Sequence, residues 1–73
     1  MTVNWRKKIV DTVDRIAKYH DVDTKSAQDI FADRLDVSRS TMWRWIKGTG
    51  TRRPYKWKEI LALEAEYKAK VKI

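Results

Sequence analysis

Ser38-Arg39-Ser40-Thr41-Met42-Trp43-Arg44-Trp45-Ile46-Lys47 is the stretch that decides how this chain is read, because placed on a helix it sorts into two chemically opposite faces. Met42, Trp45 and Ile46 fall on one side at i, i+3, i+4, while Arg39, Ser40, Trp43, Arg44 and Lys47 fall on the other. The first face is suited to burial and the second to contact with something anionic. Ser38 can accept a hydrogen bond from an orphan backbone N–H at the helix start, and Gly48 can take the left-handed conformation that ends it. A helix of about ten residues with cations and no carboxylate on its outer side has the chemistry of a DNA recognition helix.

Upstream, Asp23 or Thr24 can cap a helix running to about Leu35, with Ala27, Ile30, Phe31 and Leu35 inward. Only Asp36-Val37 then separate it from the basic helix, with Val37 plugging the core between the two. Further upstream, Asn4 can cap a first helix in which Trp5, Ile9, Val13, Ile16 and Tyr19 or His20 recur at helical spacing, while Arg6, Lys7, Asp11, Asp14, Arg15 and Lys18 face outward. It should end near Tyr19, before the polar break His20-Asp21-Val22-Asp23. Downstream, the segment from Gly48 to Pro54 reads as an ordered loop, and Pro54 suits the first turn of a last helix, where its missing N–H would be unpaired anyway. That helix carries Trp57, Ile60, Leu61, Leu63, Tyr67 and Val71 as its apolar stripe, with Glu64-Lys68 and Glu66-Lys70 as i, i+4 pairs. The expectation is an all-α fold, a compact four- to five-helix single domain over 1–73, with helices at about 4–19, 24–35, 38–47 and 54–70.

With 73 residues the chain buries only about 60% of its unfolded surface, so its core must be economical. There is no Cys, and His20 stands alone, which removes disulfides and a structural zinc site. No apolar run approaches a membrane span, so a soluble intracellular protein is expected. The net charge of +7 is unevenly placed: residues 11–36 hold seven Asp against four basic residues, whereas residues 37–58 hold seven basic residues and no acid. A positive potential concentrated on the 39–47 helix and the segment after it points to an anionic partner.

The run from Gln28 to Gly48, Gln-Asp-Ile-Phe-Ala-Asp-Arg-Leu-Asp-Val-Ser-Arg-Ser-Thr-Met-Trp-Arg-Trp-Ile-Lys-Gly, resembles the helix-turn-helix of phage Cro and repressor proteins and related small bacterial regulators. The match lies in small Ala32 where two helices would touch, Leu35 and Val37 flanking the turn, Ser38 before the second helix, and hydrophobic Met42 and Trp45. It covers 21 of 73 residues and departs at Asp36, where the family usually has Gly for a positive φ, a conformation Asp tolerates better than most. The resemblance implies a sequence-specific regulator of transcription, of the phage repressor type, that binds double-stranded DNA as a homodimer on a palindromic operator. It would work in the cytoplasm of a bacterial host, associated with the nucleoid. A chain this short leaves no room for a separate effector domain, so no small-molecule effector, cofactor or metal is expected.

Under that reading Arg39, Ser40, Trp43 and Arg44 are the base-contacting residues. The arginines can donate bidentate hydrogen bonds to guanine O6 and N7 or grip phosphate, and Ser40 can bond a base edge. Trp43 is either a thymine-methyl or sugar-phosphate contact or a core aromatic on a slightly rotated helix. Ser38, Lys47, Thr49, Thr51, Arg52, Arg53 and Lys56 are the phosphate contacts, although Arg52-Arg53-Pro54 could instead enter an A·T-rich minor groove. The order Ser38-Arg39-Ser40-Thr41, Trp45-Ile46 and Tyr55-Lys56-Trp57 also resembles excisionase and related winged regulators, which would make 48–54 a short β-wing and the protein a DNA-bending one. A third reading is a protein-protein adaptor, or the DNA-docking module of a packaging complex, with the Trp43 face on a protein. Catalysis is not expected, since no nucleophile-base set or phosphate loop can be argued from spacing.

Overall fold

Asn4 Oδ1 accepts the backbone N–H of Lys7 at 3.0 Å, and this cap starts the first of four helices. In the computed structural model, which describes residues 3–47 and 53–72, the helices are α1 (Trp5–His20), α2 (Thr24–Arg34), α3 (Arg39–Lys47) and α4 (Trp57–Lys70), and there is no strand among the described residues. Among the described residues the architecture is all-α with four helices.

Both turns before α3 are closed by an aspartate in the left-handed region. Asp21 has φ 53°, and its N–H and that of Val22 both reach the carbonyl of Ala17. Asp36 has φ 55°; its N–H bonds to Asp33 O at 3.1 Å, and the N–H of Val37 bonds to Ala32 O at 3.0 Å. These two bonds form a Schellman closure, which satisfies carbonyls that the helix end would otherwise orphan and turns Val37 back against the core. Asp36 thus takes the conformation for which the sequence resemblance leads one to expect Gly. Asp23 caps α2 by accepting the Ser26 N–H at 2.8 Å, and Ser38 Oγ accepts the Thr41 N–H at 3.2 Å at the start of α3.

The last helix starts later than its sequence suggests. Pro54 is buried but lies outside α4, followed by a turn at Tyr55-Lys56, and its carbonyl accepts the Trp57 N–H at 3.2 Å. The ring is used for packing rather than to begin the helix.

α1 is the hub: α2, α3 and α4 each pack on it, α2 also meets α3, and among the described residues α4 makes no close backbone approach to α2 or α3. One core cluster results, with Trp5, Ile9, Val13 and Ile16 from α1, Ala27, Phe31 and Ala32 from α2, Leu35 from the turn, Met42 from α3, and Ile60, Leu63 and Tyr67 from α4. The Cα radius of gyration is 11.3 Å, against about 11 Å for a compact chain of this length. Trp5 is 6% exposed and belongs to the core, in line with its place on the apolar stripe of α1, whereas two other expectations about faces are corrected. Tyr19 is exposed, and α1's stripe uses Thr12 in its place, whose hydroxyl is buried because it donates to Lys8 O at 2.8 Å. Arg15 is half-buried rather than outward.

Side chains far apart in sequence tie the frame. Lys8 Nζ meets the buried Glu64 carboxylate at 3.1 Å, with Lys68 on the other oxygen at 3.9 Å. Arg34 bridges α2 to α4 through both carboxylate oxygens of Glu66, at 2.7 and 3.2 Å, and Lys70 reaches the same carboxylate at 3.2 Å. The Arg34 hydrogen bonds, then those of Lys70, hold the Glu66 carboxyl down at about 2, while Arg34 is itself raised by Glu66. His20 Nε2 lies 2.8 Å from the hydroxyl of buried Tyr67, joining the end of α1 to α4.

Candidate nucleic-acid interface

α3 buries one residue completely. Met42 is fully covered, while Trp43, Trp45 and Ile46 are half-buried around it, so the helix rests on α1 and α2 by a narrow contact. The expectation that Trp45 is a core residue is corrected: α4 docks on α1 and leaves the far flank of α3 without a covering helix, so the indole keeps part of its surface. Its ring instead meets Tyr55 edge-on, with centroids 5.9 Å apart.

The opposite side of α3 forms a concave surface of about 650 Å³ lined, among the described residues, by Ser40, Trp43, Arg44 and Lys47. Successive turns supply these side chains, since residues three and four apart lie on one helical face. Lys47 Nζ stands 5.7 Å from the Trp43 ring centroid, close enough for a cation–π attraction of about 0.5–1 kcal/mol at an exposed site. Trp43 packs partly against the core and also lines the concavity. No carboxylate is among these lining residues.

Arg39 points elsewhere than this concavity. Its Nε lies 3.1 Å from Asp29 Oδ1 on α2, an ion pair in which both side chains remain about half exposed. Ser38 is exposed, and its hydroxyl is engaged with Thr41. Arg53 is exposed with its guanidinium 4.9 Å from the Trp57 ring centroid, Lys58 approaches the same ring at 5.5 Å, and Lys56 stands 6.0 Å from Tyr55. Three cations are therefore held on aromatic rings between Arg53 and Lys58. Thr49, Thr51 and Arg52 lie outside the described residues, as does most of the segment expected to be a loop or wing.

No family model, curated protein or solved structure matches this chain. The chemistry of the surface therefore has to be argued from its own residues.

Sequence reasoning places Ser40, Trp43, Arg44 and Lys47 on one helical face, and the structure brings them to one surface. It missed the tie between Asp29 and Arg39, the Trp45-Tyr55 pair, and the use of Trp57 as a support for Arg53 and Lys58. The alternation of basic and aromatic residues from Arg52 to Lys58 was the available signal for the last of these. Lys8, next in sequence to the outward Arg6 and Lys7, is committed to Glu64. Among the described residues no three His, Cys, Asp or Glu side chains gather as a metal site, and no helix is long and apolar enough to cross a membrane.

Proposed function

We propose that this chain is a sequence-specific double-stranded DNA-binding protein in which α2, the four-residue turn Leu35–Ser38 and α3 act as a helix-turn-helix, with α3 entering the major groove. The observation that carries the reading is the outer surface of α3, where Ser40, Trp43, Arg44 and Lys47 line one concavity with no carboxylate among the described lining residues. A phosphate-walled groove about 12 Å wide admits a helix and rewards such a face. Arg44 is the residue for a guanine edge, Ser40 a short donor near the helix N-terminus, and Trp43 the apolar contact for a thymine methyl. Lys47, Arg53 and Lys56 serve phosphates, and Arg39, oriented by Asp29, serves either a base or a phosphate at the groove edge.

The chain acts as a transcriptional regulator of the repressor type, occupying its operator as a homodimer. Two-fold symmetry in the protein then demands a palindromic site with half-sites about 34 Å apart or a multiple of that. Selection of bound sequences from a random duplex pool tests this directly. Recovery of a palindrome with guanine and thymine at fixed positions is the expected result. Tandem direct repeats would indicate an architectural role, and recovery of no sequence above background would remove the specific reading.

A further inference from the structure

Resting on the duplex-binding reading, a second feature lies beside α3 that a B-form helix does not use. Tyr55 is 69% exposed, more than any other large hydrophobic residue described. Its ring is not loose: Trp45 meets it edge-on at 5.9 Å with planes 69° apart, and Lys56 Nζ stands 6.0 Å from its centroid. An edge-to-face contact restrains the orientation of a ring, and at 69% exposure Tyr55 keeps most of its surface open. The neighbouring Trp57 is half-buried and has cations against its ring at 4.9 and 5.5 Å, so Tyr55 is the more open aromatic plate in a segment of basic residues.

We propose that Tyr55, supported by Trp45, is a stacking platform for an unpaired nucleobase, so that the favoured partner is a duplex adjoining a short single-stranded segment. In an intact duplex every base presents its faces to its neighbours, and a protein ring can use a base face only where the base has left the stack. An aromatic plate flanked by cations is the combination that holds single strands without demanding a sequence. The cations are in place: Lys56 beside the plate, with Arg53 and Lys58 held on Trp57 one and two residues beyond its neighbours in the chain. No acid occurs between residues 37 and 58, so an acidic strand, rather than an apolar protein surface, is the complementary partner. Because the ring is already oriented, little ordering opposes the stack.

The test compares the affinity of the full chain for a blunt duplex, the same duplex with a short oligothymidine tail, and the same duplex with an abasic tail that keeps the phosphates and removes the bases. The oligothymidine tail is expected to raise affinity about tenfold over the abasic tail. Tyr55→Ala should abolish that difference without changing binding to the blunt duplex, and Tyr55→Phe should preserve it. Since Tyr55 is mostly exposed, Tyr55→Ala is expected to fold, which its helical circular dichroism checks. Equal binding to the two tailed duplexes, or a difference that survives Tyr55→Ala, overturns the platform while leaving duplex recognition by α3 intact. A Tyr55-dependent preference for free oligothymidine, with no binding to the blunt duplex, would support the platform and reject the α3 reading.

Discussion

Asp29 on α2 holds Arg39, the first residue of α3, with Nε and Oδ1 3.1 Å apart. The pair spans the turn between the two helices, so the bracing helix orients the first cation of the helix it braces. Arg44 has no carboxylate partner among the described residues and lines the concave face. The two arginines that look alike in sequence thus stand in different electrostatic settings. Both side chains of the pair are about half exposed, so its contribution to stability is expected to be below about 1 kcal/mol.

Arg44→Ala is expected to cost about 1–3 kcal/mol of specific DNA binding and to leave thermal stability nearly unchanged. Arg39→Ala should also weaken binding, with an added cause: it leaves the Asp29 carboxylate unneutralised beside the DNA. The double variant Arg39→Ala/Asp29→Ala should therefore bind more tightly than Arg39→Ala alone. A double variant no better than the single one, measured by fluorescence anisotropy at low salt, would show that Asp29 does not face the phosphates.

Burial separates two residues that the helical pattern puts on one face. Met42→Ala is expected to cost about 2–5 kcal/mol, a large part of the stability of so small a domain, because Met42 is fully covered. Trp45→Ala should cost less than a fully buried Trp, because the indole already keeps part of its surface. Urea denaturation of both variants ranks them, and a Trp45→Ala variant less stable than Met42→Ala would mean that the flank of α3 is better covered than described.

The helix starts were legible because caps are local. Asn4, Asp23 and Ser38 each accept from an N–H three residues on, and spacing alone reveals that geometry. The outer face of α3 was legible for the same reason. The ties Lys8-Glu64, Arg34-Glu66 and His20-Tyr67 join residues 56, 32 and 47 apart, and no periodicity relates them. The i, i+4 pattern pointed to Lys68 for Glu64, yet Lys8 lies closer, at 3.1 Å against 3.9 Å. Trp45 was misplaced on the same ground, since exposure at the edge of a stripe depends on where α4 docks.

Replacing either left-handed aspartate by glycine should stabilise the protein. A residue with a Cβ in that region costs about 1–2 kcal/mol, partly offset by the extra chain entropy glycine loses on folding. Asp36→Gly and Asp21→Gly are each expected to add about 0.5–1 kcal/mol, or a rise in Tm of several degrees. Calorimetry checks this, and a fall in Tm would show that the aspartate side chains make contacts worth more than the backbone strain.

Acid should unlock the α2-α4 tie. The Glu66 carboxyl is lowered from 4.5 to about 2 by Arg34 and then Lys70, and Asp23 is lowered by the Ser26 N–H. Both folded values lie below the unfolded ones, so this stability is fully present above about pH 4.5 and is lost as pH falls toward about 2. In urea midpoints measured across that window, Glu66→Gln should remove part of the wild-type slope. An identical slope in the variant would place the acid sensitivity elsewhere.

Salt dependence of binding to the selected duplex tests the central claim most directly. Lys47, Arg53, Lys56 and Lys58, with Arg39 at the groove edge, provide about five phosphate-reaching cations per protomer, Arg44 being kept for a base edge and Lys8 being held by Glu64. A bound dimer then makes about ten contacts, and log K should fall against log salt with a slope of about −9, or about half that for a monomer. A slope near zero would contradict duplex recognition through the basic face of α3.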